Sequence, residues 1–383
     1  MWYNIRSMGS PAADPAPVVP ESKPTKLERI ELLGIPGRGW DERVGAWLKE
    51  LGEPRYRLRQ LRDWVFRRTP AAFSAMSDLP LEFRRLLEES AVLHPIELRE
   101  ERLSRDGTRK YLWGRAEGGS IESVLIPDER DGDRTRITYC ISTQAGCPVK
   151  CTFCATGFSG FEGNLSTSEI VDQVVQVRRL SGLSPTNIVY MGMGEPLLNF
   201  ERTLESLDVL GDPDQIGLGD RRITVSTVGV PERIVELGRR FPQVKLALSL
   251  HAARDKLRDE IIPLNRKYPL AEVIGAVREH HRITEKLPTM EYVLLPGVND
   301  TRRDAREIAG MLKRLPSRIN LIEFNPFAGV EYRKPTVASL TAFRQSIVAE
   351  GFPGPVTIRR SRGEDIYGAC GQLMLAAAPP RTE

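Results

Sequence analysis

Cys147, Cys151 and Cys154 are the residues of this chain whose types and spacing most clearly indicate chemistry. The pattern Cys-x3-Cys-x2-Cys can place three thiolates on three different irons of a 4Fe-4S cluster. The fourth iron then has no protein ligand, and such an open iron can bind a substrate through its amino and carboxylate groups. The spacing therefore predicts a 4Fe-4S cluster with three cysteine ligands and one open position.

A structural zinc site is the alternative, with Cys140 as the fourth thiolate of a closed tetrahedron. Structural zinc cysteines usually come as two close pairs, whereas Cys140 stands alone seven residues before Cys147. A disulfide framework is disfavoured, because five cysteines are an odd number, too few for 383 residues, and no secretory signal precedes them.

The composition, 40% hydrophobic and 28% charged, is that of a globular protein of two or three domains or of one large barrel with additions. No uninterrupted apolar run approaches the ~20 residues that cross a bilayer. Residues 1–26 are rich in Pro, Ala and Ser and predict a disordered tail. We expect a cytoplasmic monomer without membrane contact, whose net charge of +4 permits a polyanionic partner.

Strand and helix patterns alternate from residue 138 onwards. Six such units in a row predict an α/β fold with a parallel sheet curled into a partial (β/α)6 barrel over residues 138–350. The strand candidates are residues 138–142, 187–191, 223–226, 245–250, 290–295 and 320–324, and the helix candidates are residues 166–180, 200–210, 231–240, 270–281, 301–315 and 338–350.

The rest of the chain divides into segments with different predicted secondary structure. Residues 27–93 predict a small helical domain with helices at 41–51, 57–68 and 80–91, residues 94–137 predict an extended lead-in, and residues 351–383 form a C-terminal segment. Within 53–68, six arginines face two acids with aromatic residues interleaved, so this domain is predicted to bind RNA through Arg57, Arg59 and Arg62. A solvated basic face is the alternative. A second basic cluster comprises Arg359, Arg360 and Arg362.

Active sites of such barrels lie on loops after the carboxyl ends of the strands. The cysteine run follows the first strand, and Gly192 and Gly194 follow the second, where they would let the backbone approach a cofactor closely. Glu195 could receive the ammonium group of that cofactor. Small or polar residues end or follow later strands and could bind a ribose, a carboxylate or an adenine edge: Ser226, Ser249, His251 and Asn325.

Two cysteines stand outside the cluster motif. Cys370 is flanked by small residues, which predicts a thiol on an accessible, flexible loop, and Cys140 ends the first strand near the barrel mouth. A lone cysteine is by default a small buried hydrophobe, but two extra thiols beside a cluster suggest sulfur chemistry. His94, His280 and His281 are expected to be surface or packing residues.

Long segments of the chain resemble the RlmN/Cfr family of radical S-adenosylmethionine (SAM) RNA methyltransferases. The resemblance covers residues 105–373 and rests on Cys140-Ile-Ser-Thr-Gln-Ala-Gly-Cys-Pro-Val-Lys-Cys-Thr-Phe-Cys154, Met191-Gly-Met-Gly-Glu-Pro-Leu-Leu-Asn199 and Ala369-Cys-Gly-Gln-Leu373. It implies that Cys147, Cys151 and Cys154 bind the cluster and that SAM is contacted by Gly194, Glu195, Ser226, Ser249, Leu250, His251 and Asn325.

The resemblance also implies a mechanism in which Cys370 is S-methylated by one SAM and a second SAM supplies the radical that activates this methyl group. Glu122 would be the proton acceptor, and Cys140 the thiol that forms a transient disulfide with Cys370 to release the product. An external electron donor such as flavodoxin or ferredoxin is implied, and two SAM molecules are consumed per methylation.

Two outcomes occur in this family: methylation of adenosine C2 in 23S rRNA and beside the tRNA anticodon (RlmN type), or of C8 in 23S rRNA (Cfr type). Pro196-Leu-Leu-Asn199 and Asn325-Pro-Phe327 look more like the RlmN type, which favours C2. Two alternatives from other classes are a zinc-stabilised, non-catalytic RNA-binding protein and a radical SAM enzyme that acts on a protein or small molecule. The basic helical domain and the Cys140/Cys370 pair argue against the last.

Overall fold

The computed structural model describes residues 29–128 and 136–374. The predicted disordered tail, residues 1–26, lies outside the described residues. Within the described part of the chain, none of the helices combines the length and apolar character needed to span a membrane.

The first described residues form a helical unit with its own apolar interior. Trp40 packs edge-on against Phe66, with ring centroids 5.1 Å apart, and both side chains are fully buried. A wider helical turn over Asp63–Arg68 extends the second helix. The elements are β1 (Ile30–Glu31), α1 (Gly37–Glu50), α2 (Arg57–Arg62), α3 (Leu81–Ser90) and β2 (Ala91–Val92).

Strands of the remaining chain form one ten-stranded sheet and a small hairpin. The sheet has the order β14-β13-β12-β11-β10-β9-β6-β5-β4-β3, and β7 and β8 form the antiparallel hairpin. The strands are β3 (Ile96–Leu103), β4 (Arg109–Arg115), β5 (Ser120–Asp128), β6 (Arg136–Cys140), β7 (Gln144–Gly146), β8 (Phe161–Asn164), β9 (Asn187–Tyr190), β10 (Ile223–Thr227), β11 (Lys245–Ser249), β12 (Thr289–Leu294), β13 (Arg318–Glu323) and β14 (Val356–Arg359).

Helices connect the successive parallel strands, and all six predicted strands and six predicted helices of the barrel are present. Ser166 begins the first long helix with a reciprocal pair of hydrogen bonds to Glu169, an arrangement that satisfies free amides at a helix start. The helices are α4 (Ala155–Phe158), α5 (Thr167–Ser181), α6 (Phe200–Gly211), α7 (Pro231–Arg240), α8 (Asp255–Ile261), α9 (Leu270–Thr284), α10 (Arg302–Leu312) and α11 (Val337–Ala349).

The sheet is larger than the six strands that the sequence predicts. Residues 94–137, predicted as an extended lead-in, contain the antiparallel strands β3, β4 and β5, and β5 pairs with β6 at the edge of the parallel sheet. A seventh parallel strand, β14, pairs with β13. It escaped prediction because its four residues, Val-Thr-Ile-Arg, alternate apolar and polar side chains and, within the described residues, only a three-residue 3-10 helix follows it.

The helical unit is fixed to the barrel through α5. Val171 and Val175 of α5 are fully buried in the apolar interior of the helical unit. His94 Nδ1 lies 2.7 Å from Asp172 Oδ1, and His94 Nε2 lies 2.8 Å from the carbonyl oxygen of Pro70. His94 is therefore more than a surface or packing residue, because it links the two parts of the molecule through an ion pair.

Candidate active site

The cysteine motif lies on the loop after β6, at the carboxyl edge of the parallel strands. The hairpin of β7 and β8 shapes this loop, and the Cys147 amide donates a 2.8 Å hydrogen bond to the carbonyl oxygen of Gly160. Gly146 has a φ of +72°, and a Cβ atom there would lie 1.9 Å from the Gly160 oxygen. Only glycine therefore permits the turn that leads into the first cysteine.

All three cysteines of the motif are free of disulfide bonds, with Cys151 buried and the other two half-buried. Burial raises the pKa of the Cys147 thiol to about 12, and the charges of Cys154 and Glu195 raise it further. Burial and then the charges of Cys154 and Cys147 raise the pKa of Cys151. The sulfurs thus lie close enough to repel one another as thiolates, and bound iron would offset that repulsion because its ions are positively charged. This set of sulfur donors fits a 4Fe-4S cluster.

Glu195 is held beside the cysteine loop by main-chain amides. Its carboxylate accepts hydrogen bonds from the amides of Leu197, at 2.9 Å, and Val228, at 2.8 Å. Burial raises the pKa of Glu195 to about 6, although the two hydrogen bonds act to lower it. The carboxylate is therefore fixed in orientation and partly compensated, and its binding of an ammonium group stays a prediction.

Gly192 and Gly194 have a different immediate role from the predicted one. A Cβ atom at Gly194, whose φ is +98°, would lie 2.6 Å from Cβ of Gln144, and one at Gly192 would lie 2.7 Å from the carbonyl oxygen of Ile141. Both glycines thus allow the loop after β9 to pack on the loop after β6. This close packing places Glu195 next to the cysteines.

The predicted residues at the ends of β10 and β11 are organised by Arg258, which the sequence analysis did not single out. Its guanidinium is buried and donates hydrogen bonds to the carbonyl oxygens of Val228, Ser249 and Leu250. Burial lowers the pKa of Arg258 to about 10. Ser226 is half-buried on β10, two residues before the amide that binds Glu195.

His251 packs directly against the cysteine loop. Its ring meets Phe153 edge-on, with centroids 4.7 Å apart, and its Nδ1 accepts a 2.9 Å hydrogen bond from the Val293 amide. Burial and then the charge of Arg258 lower the pKa of His251 to about 3. The imidazole is therefore neutral, with its proton on Nε2.

Asn325 holds the segment that carries Cys370. Its Nδ2 donates a 3.1 Å hydrogen bond to the Cys370 carbonyl oxygen, and its Oδ1 accepts one of 2.7 Å from the Ser361 hydroxyl. The Ala155 amide, directly after the last cysteine of the motif, donates a 2.8 Å hydrogen bond to the carbonyl oxygen of Gly371. The Cys370 segment is thus bound to both the cysteine loop and the loop after β13.

Glu122 lies on β5 and also reaches the Cys370 segment. One carboxylate oxygen is 3.0 Å from Nζ of Lys110, and the other accepts a 2.8 Å hydrogen bond from the Met374 amide. Only 5% of Glu122 is exposed. This residue, predicted as a proton acceptor, therefore lies at the same rim as Cys370.

Cys140 ends β6 and is buried, whereas Cys370 is exposed. Burial and then the charge of Cys370 raise the pKa of Cys140 to about 12, and the Arg359 guanidinium counteracts both. The two thiols are therefore electrostatic neighbours and share a cation. Arg359 of the second basic cluster thus belongs to this site.

The predicted basic face of the helical unit needs correction. Arg57 is buried, 3.2 Å from the Glu53 carboxylate, and its guanidinium lies over the Phe83 ring. Arg62 is paired with Asp41. Of the three arginines predicted to touch RNA, only Arg59 is exposed.

The comparisons with known proteins agree with this geometry. Residues 141–309 match the radical SAM superfamily, and residues 40–93 match the ribosomal RNA large subunit methyltransferase N-terminal domain. A Thermotoga sp. (strain RQ2) protein named probable dual-specificity RNA methyltransferase RlmN is 45% identical over 87% of this chain and 95% of its own. The dual-specificity RNA methyltransferase RlmN of Pelobacter propionicus is 42% identical over 88% of this chain and 95% of its own.

The chain belongs to the RlmN family of radical SAM RNA methyltransferases. Its structure is similar to the crystal structure of a radical SAM methyltransferase from Sphaerobacter thermophilus, with a TM-score of 0.84 and 41% identity over 90% of this chain and 99% of the other. RlmN-family membership implies a 4Fe-4S cluster and SAM as cofactors, in agreement with the sulfur donors on the loop after β6.

Proposed function

We propose that this enzyme methylates C2 of adenosine in the peptidyl-transferase region of 23S rRNA and of the adenosine beside the anticodon in tRNAs. The observation that carries the proposal is the meeting of Cys370, Cys140 and Glu122 at one rim of the barrel, next to the cysteine loop. An ordinary methyltransferase needs none of these groups, whereas a covalent sulfur route needs all three. The names of its relatives support a dual specificity.

The reaction requires a covalent route because C2 of adenine is an electron-poor amidine carbon. It does not attack a sulfonium methyl group as a nucleophile, but a carbon radical can add to it. Cys147, Cys151 and Cys154 would hold a 4Fe-4S cluster, which with SAM would supply a 5′-deoxyadenosyl radical able to remove a hydrogen atom from a methyl group.

Cys370 first accepts a methyl group from one SAM and loses its thiol proton. After hydrogen abstraction, its methylene carbon bonds to C2 and joins RNA to the protein. The adduct radical then gives up the C2 proton to Glu122 and one electron, which would return to the 4Fe-4S cluster that was oxidised when the second SAM was cleaved. The Cys140 thiolate attacks the Cys370 sulfur, the bond from that sulfur to the methylene breaks, and a disulfide forms as the product carbon takes up a proton.

Residues that contact SAM are proposed to be Gly194, Glu195, Ser226, Ser249, Leu250, His251 and Asn325. The fixed carboxylate of Glu195 fits the ammonium group, since its two oxygens are already oriented by main-chain amides. The helical unit, residues 27–93, is proposed to bind RNA. A flavodoxin or ferredoxin is proposed to supply the electron that starts each cycle.

The test is a reaction with SAM that carries a trideuterated methyl group, using unmodified 23S rRNA and tRNA and mass spectrometry of the nucleosides. We expect 2-methyladenosine from both RNAs, with two deuterium atoms in the new methyl group, because one is lost to the deoxyadenosyl radical. A methyl group with all three deuterium atoms would contradict the covalent route. 8-Methyladenosine would instead assign the enzyme to the Cfr type, and product from one RNA alone would refute dual specificity.

A further inference from the structure

Lys110 and Glu122 form an ion pair inside the protein, beside the proposed reaction centre. They lie on the neighbouring strands β4 and β5, where Lys110 pairs with Val124 and Leu112 pairs with Glu122. The two side chains are therefore diagonal neighbours on the same face of the sheet. Nζ and Oε1 are 3.0 Å apart, and the side chains are only 3% and 6% exposed.

Few other charges reach this pair. On β3, Arg102 interacts electrostatically with Glu122, and Glu100 interacts with Lys110, but Arg102 and Glu100 also bind each other at 2.6 Å. Within the described residues, Lys110 Nζ is buried without a hydrogen-bond acceptor of good geometry, and its recorded partner is the Glu122 carboxylate of the ion pair. Lys110 is therefore the direct counter-charge of the buried Glu122 carboxylate.

The two oxygens of Glu122 have different partners. Oε1 faces Lys110, whereas Oε2 accepts the 2.8 Å hydrogen bond from the Met374 amide, four residues after Cys370. Lys110 belongs to a sheet strand, and Met374 belongs to the segment that must carry the methylene group to RNA. A movement of that segment would free Oε2 and leave Oε1 in place.

We propose that Lys110 is a positioning residue that keeps Glu122 ionised and oriented, so that Oε2 accepts the ring proton after the Met374 amide has moved away. The inference rests on the proposed function, in which Glu122 is the proton acceptor. A buried carboxylate that loses its counter-charge takes up a proton more readily. Without Lys110, the buried Glu122 carboxylate would have no direct counter-charge, which would disfavour the charged form that accepts the C2 proton.

The test compares Lys110→Met with Lys110→Arg, and measures methylated RNA against pH together with S-methylation of Cys370 by mass spectrometry of the protein. For Lys110→Met we expect product formation about tenfold slower at about pH 7, recovering towards the wild-type rate by about pH 9. S-methylation of Cys370 precedes the proton transfer and should be retained. Lys110→Arg keeps the charge and should keep the wild-type pH profile.

Two controls separate this role from a structural one. Glu122→Gln cannot accept a proton and should be inactive at every pH, and Lys334→Met, which breaks an exposed lysine pair with Glu364, should follow the wild-type profile. An unshifted profile in Lys110→Met, whether its rate is normal or uniformly lowered, would overturn the inference. If Lys110→Met does not retain iron, the same measurements are made on Lys110→Gln. A shifted pH profile in Lys110→Arg would also overturn the inference.

The proposed function fails in a different way. If wild-type protein never carries S-methylated Cys370, or its product retains all three deuterium atoms, the covalent route itself is wrong. If Cys370 is S-methylated and the product carries two deuterium atoms, the covalent route stands. If the pH profile is then insensitive to the charge at residue 110, only the inference about Lys110 is wrong.

Discussion

The side-chain amide of Asn325 donates a 3.1 Å hydrogen bond to the main-chain oxygen of Cys370. A residue proposed to contact SAM therefore also holds the segment of the proposed methyl carrier. Because the same side chain accepts a hydrogen bond from Ser361, its orientation is fixed from both ends. The proposed SAM contact would therefore couple cofactor binding to the position of the Cys370 segment through one buried amide.

Asn325→Asp should loosen the Cys370 segment. The aspartate keeps an oxygen for Ser361 but presents a second oxygen to the Cys370 carbonyl, so a donor is replaced by an acceptor. Losing this hydrogen bond should cost about 1–3 kcal/mol locally. We expect amide hydrogen exchange in residues 366–374 to be about tenfold faster. Asn187→Asp, at a half-buried Asn that donates to the Arg222 carbonyl, is the control and should leave that exchange unchanged.

Alanine at Cys147, Cys151 or Cys154 should abolish iron retention and SAM cleavage together. Two thiolates cannot hold a cluster whose fourth iron has no protein ligand. The measurement is iron and sulfide per chain after anaerobic reconstitution, followed by production of 5′-deoxyadenosine. Cys140→Ala is the matched control and should keep the cluster. Normal deoxyadenosine production in any of the three variants would refute this ligand assignment.

The exposed arginines of the helical unit should set the salt dependence of RNA binding. Arg55 and Arg59 are both exposed; Arg55 lies in the turn before α2 and Arg59 lies on α2. Changing both to Ala should weaken RNA binding and flatten the plot of log affinity against log salt by up to about two ion equivalents. An unchanged slope would make this surface an ordinary solvated face.

Arg57→Ala should act on folding instead of on that slope. Its guanidinium is buried against Glu53 and Phe83, so its loss leaves the Glu53 carboxylate without its partner. We expect a loss of about 1–3 kcal/mol in the free energy of unfolding, with a salt slope close to that of the wild type. A normal stability and a flattened slope would show that Arg57 binds RNA after all.

His94 should make the attachment of the helical unit dependent on pH. Burial opposes its charge, but the hydrogen bond and charge of Asp172 outweigh burial and raise the pKa of His94 above 6.5. Because the pKa is raised in the folded state, the stabilisation is complete below about pH 6.5 and is lost as pH rises through the folded-state value.

The His94→Gln variant tests this dependence, because glutamine forms hydrogen bonds but cannot carry the charge. Denaturation followed by tryptophan fluorescence should show the variant less stable than the wild type at about pH 6, with a difference that shrinks by about 1 kcal/mol towards about pH 9. His281→Gln, at a histidine that bonds a carbonyl oxygen, is the control. A difference independent of pH would contradict the charged pair.

Local patterns were sufficient to predict the six barrel strands, because buried parallel strands are short apolar runs between amphipathic helices. They were insufficient for β14 and for the joining of β3–β5 to the sheet, since the pairing of β14 with β13 and of β5 with β6 is not visible in the residue pattern of either strand alone. The basic face was mispredicted for the same reason. The helical pattern correctly places Arg57 and Arg62 on one helix. It does not reveal that Arg62 pairs with Asp41, which lies 21 residues earlier in the sequence.

The site shows the same division between local and long-range information. The cysteine motif and the Gly-x-Gly-Glu segment are local patterns with direct chemical meaning. Arg258 and Lys110 carry no such pattern, and their importance arises from carbonyl groups and a carboxylate supplied by other strands. The link between Glu122 and Met374 spans 252 residues and becomes visible only in three dimensions.

The roles of the two spare thiols give the sharpest prediction. If Cys370 carries the methylene to the ring and Cys140 releases it, Cys140→Ala should stall after the addition with RNA still attached to Cys370. Cys370→Ala has no sulfur to methylate and should form no such bond. Denaturing electrophoresis of protein purified from cells should show a slower, ribonuclease-sensitive band for Cys140→Ala that is absent from the double variant. If Cys140→Ala turns over normally without an adduct, or if the two single variants behave alike, both thiols are simply small packed side chains near a cluster.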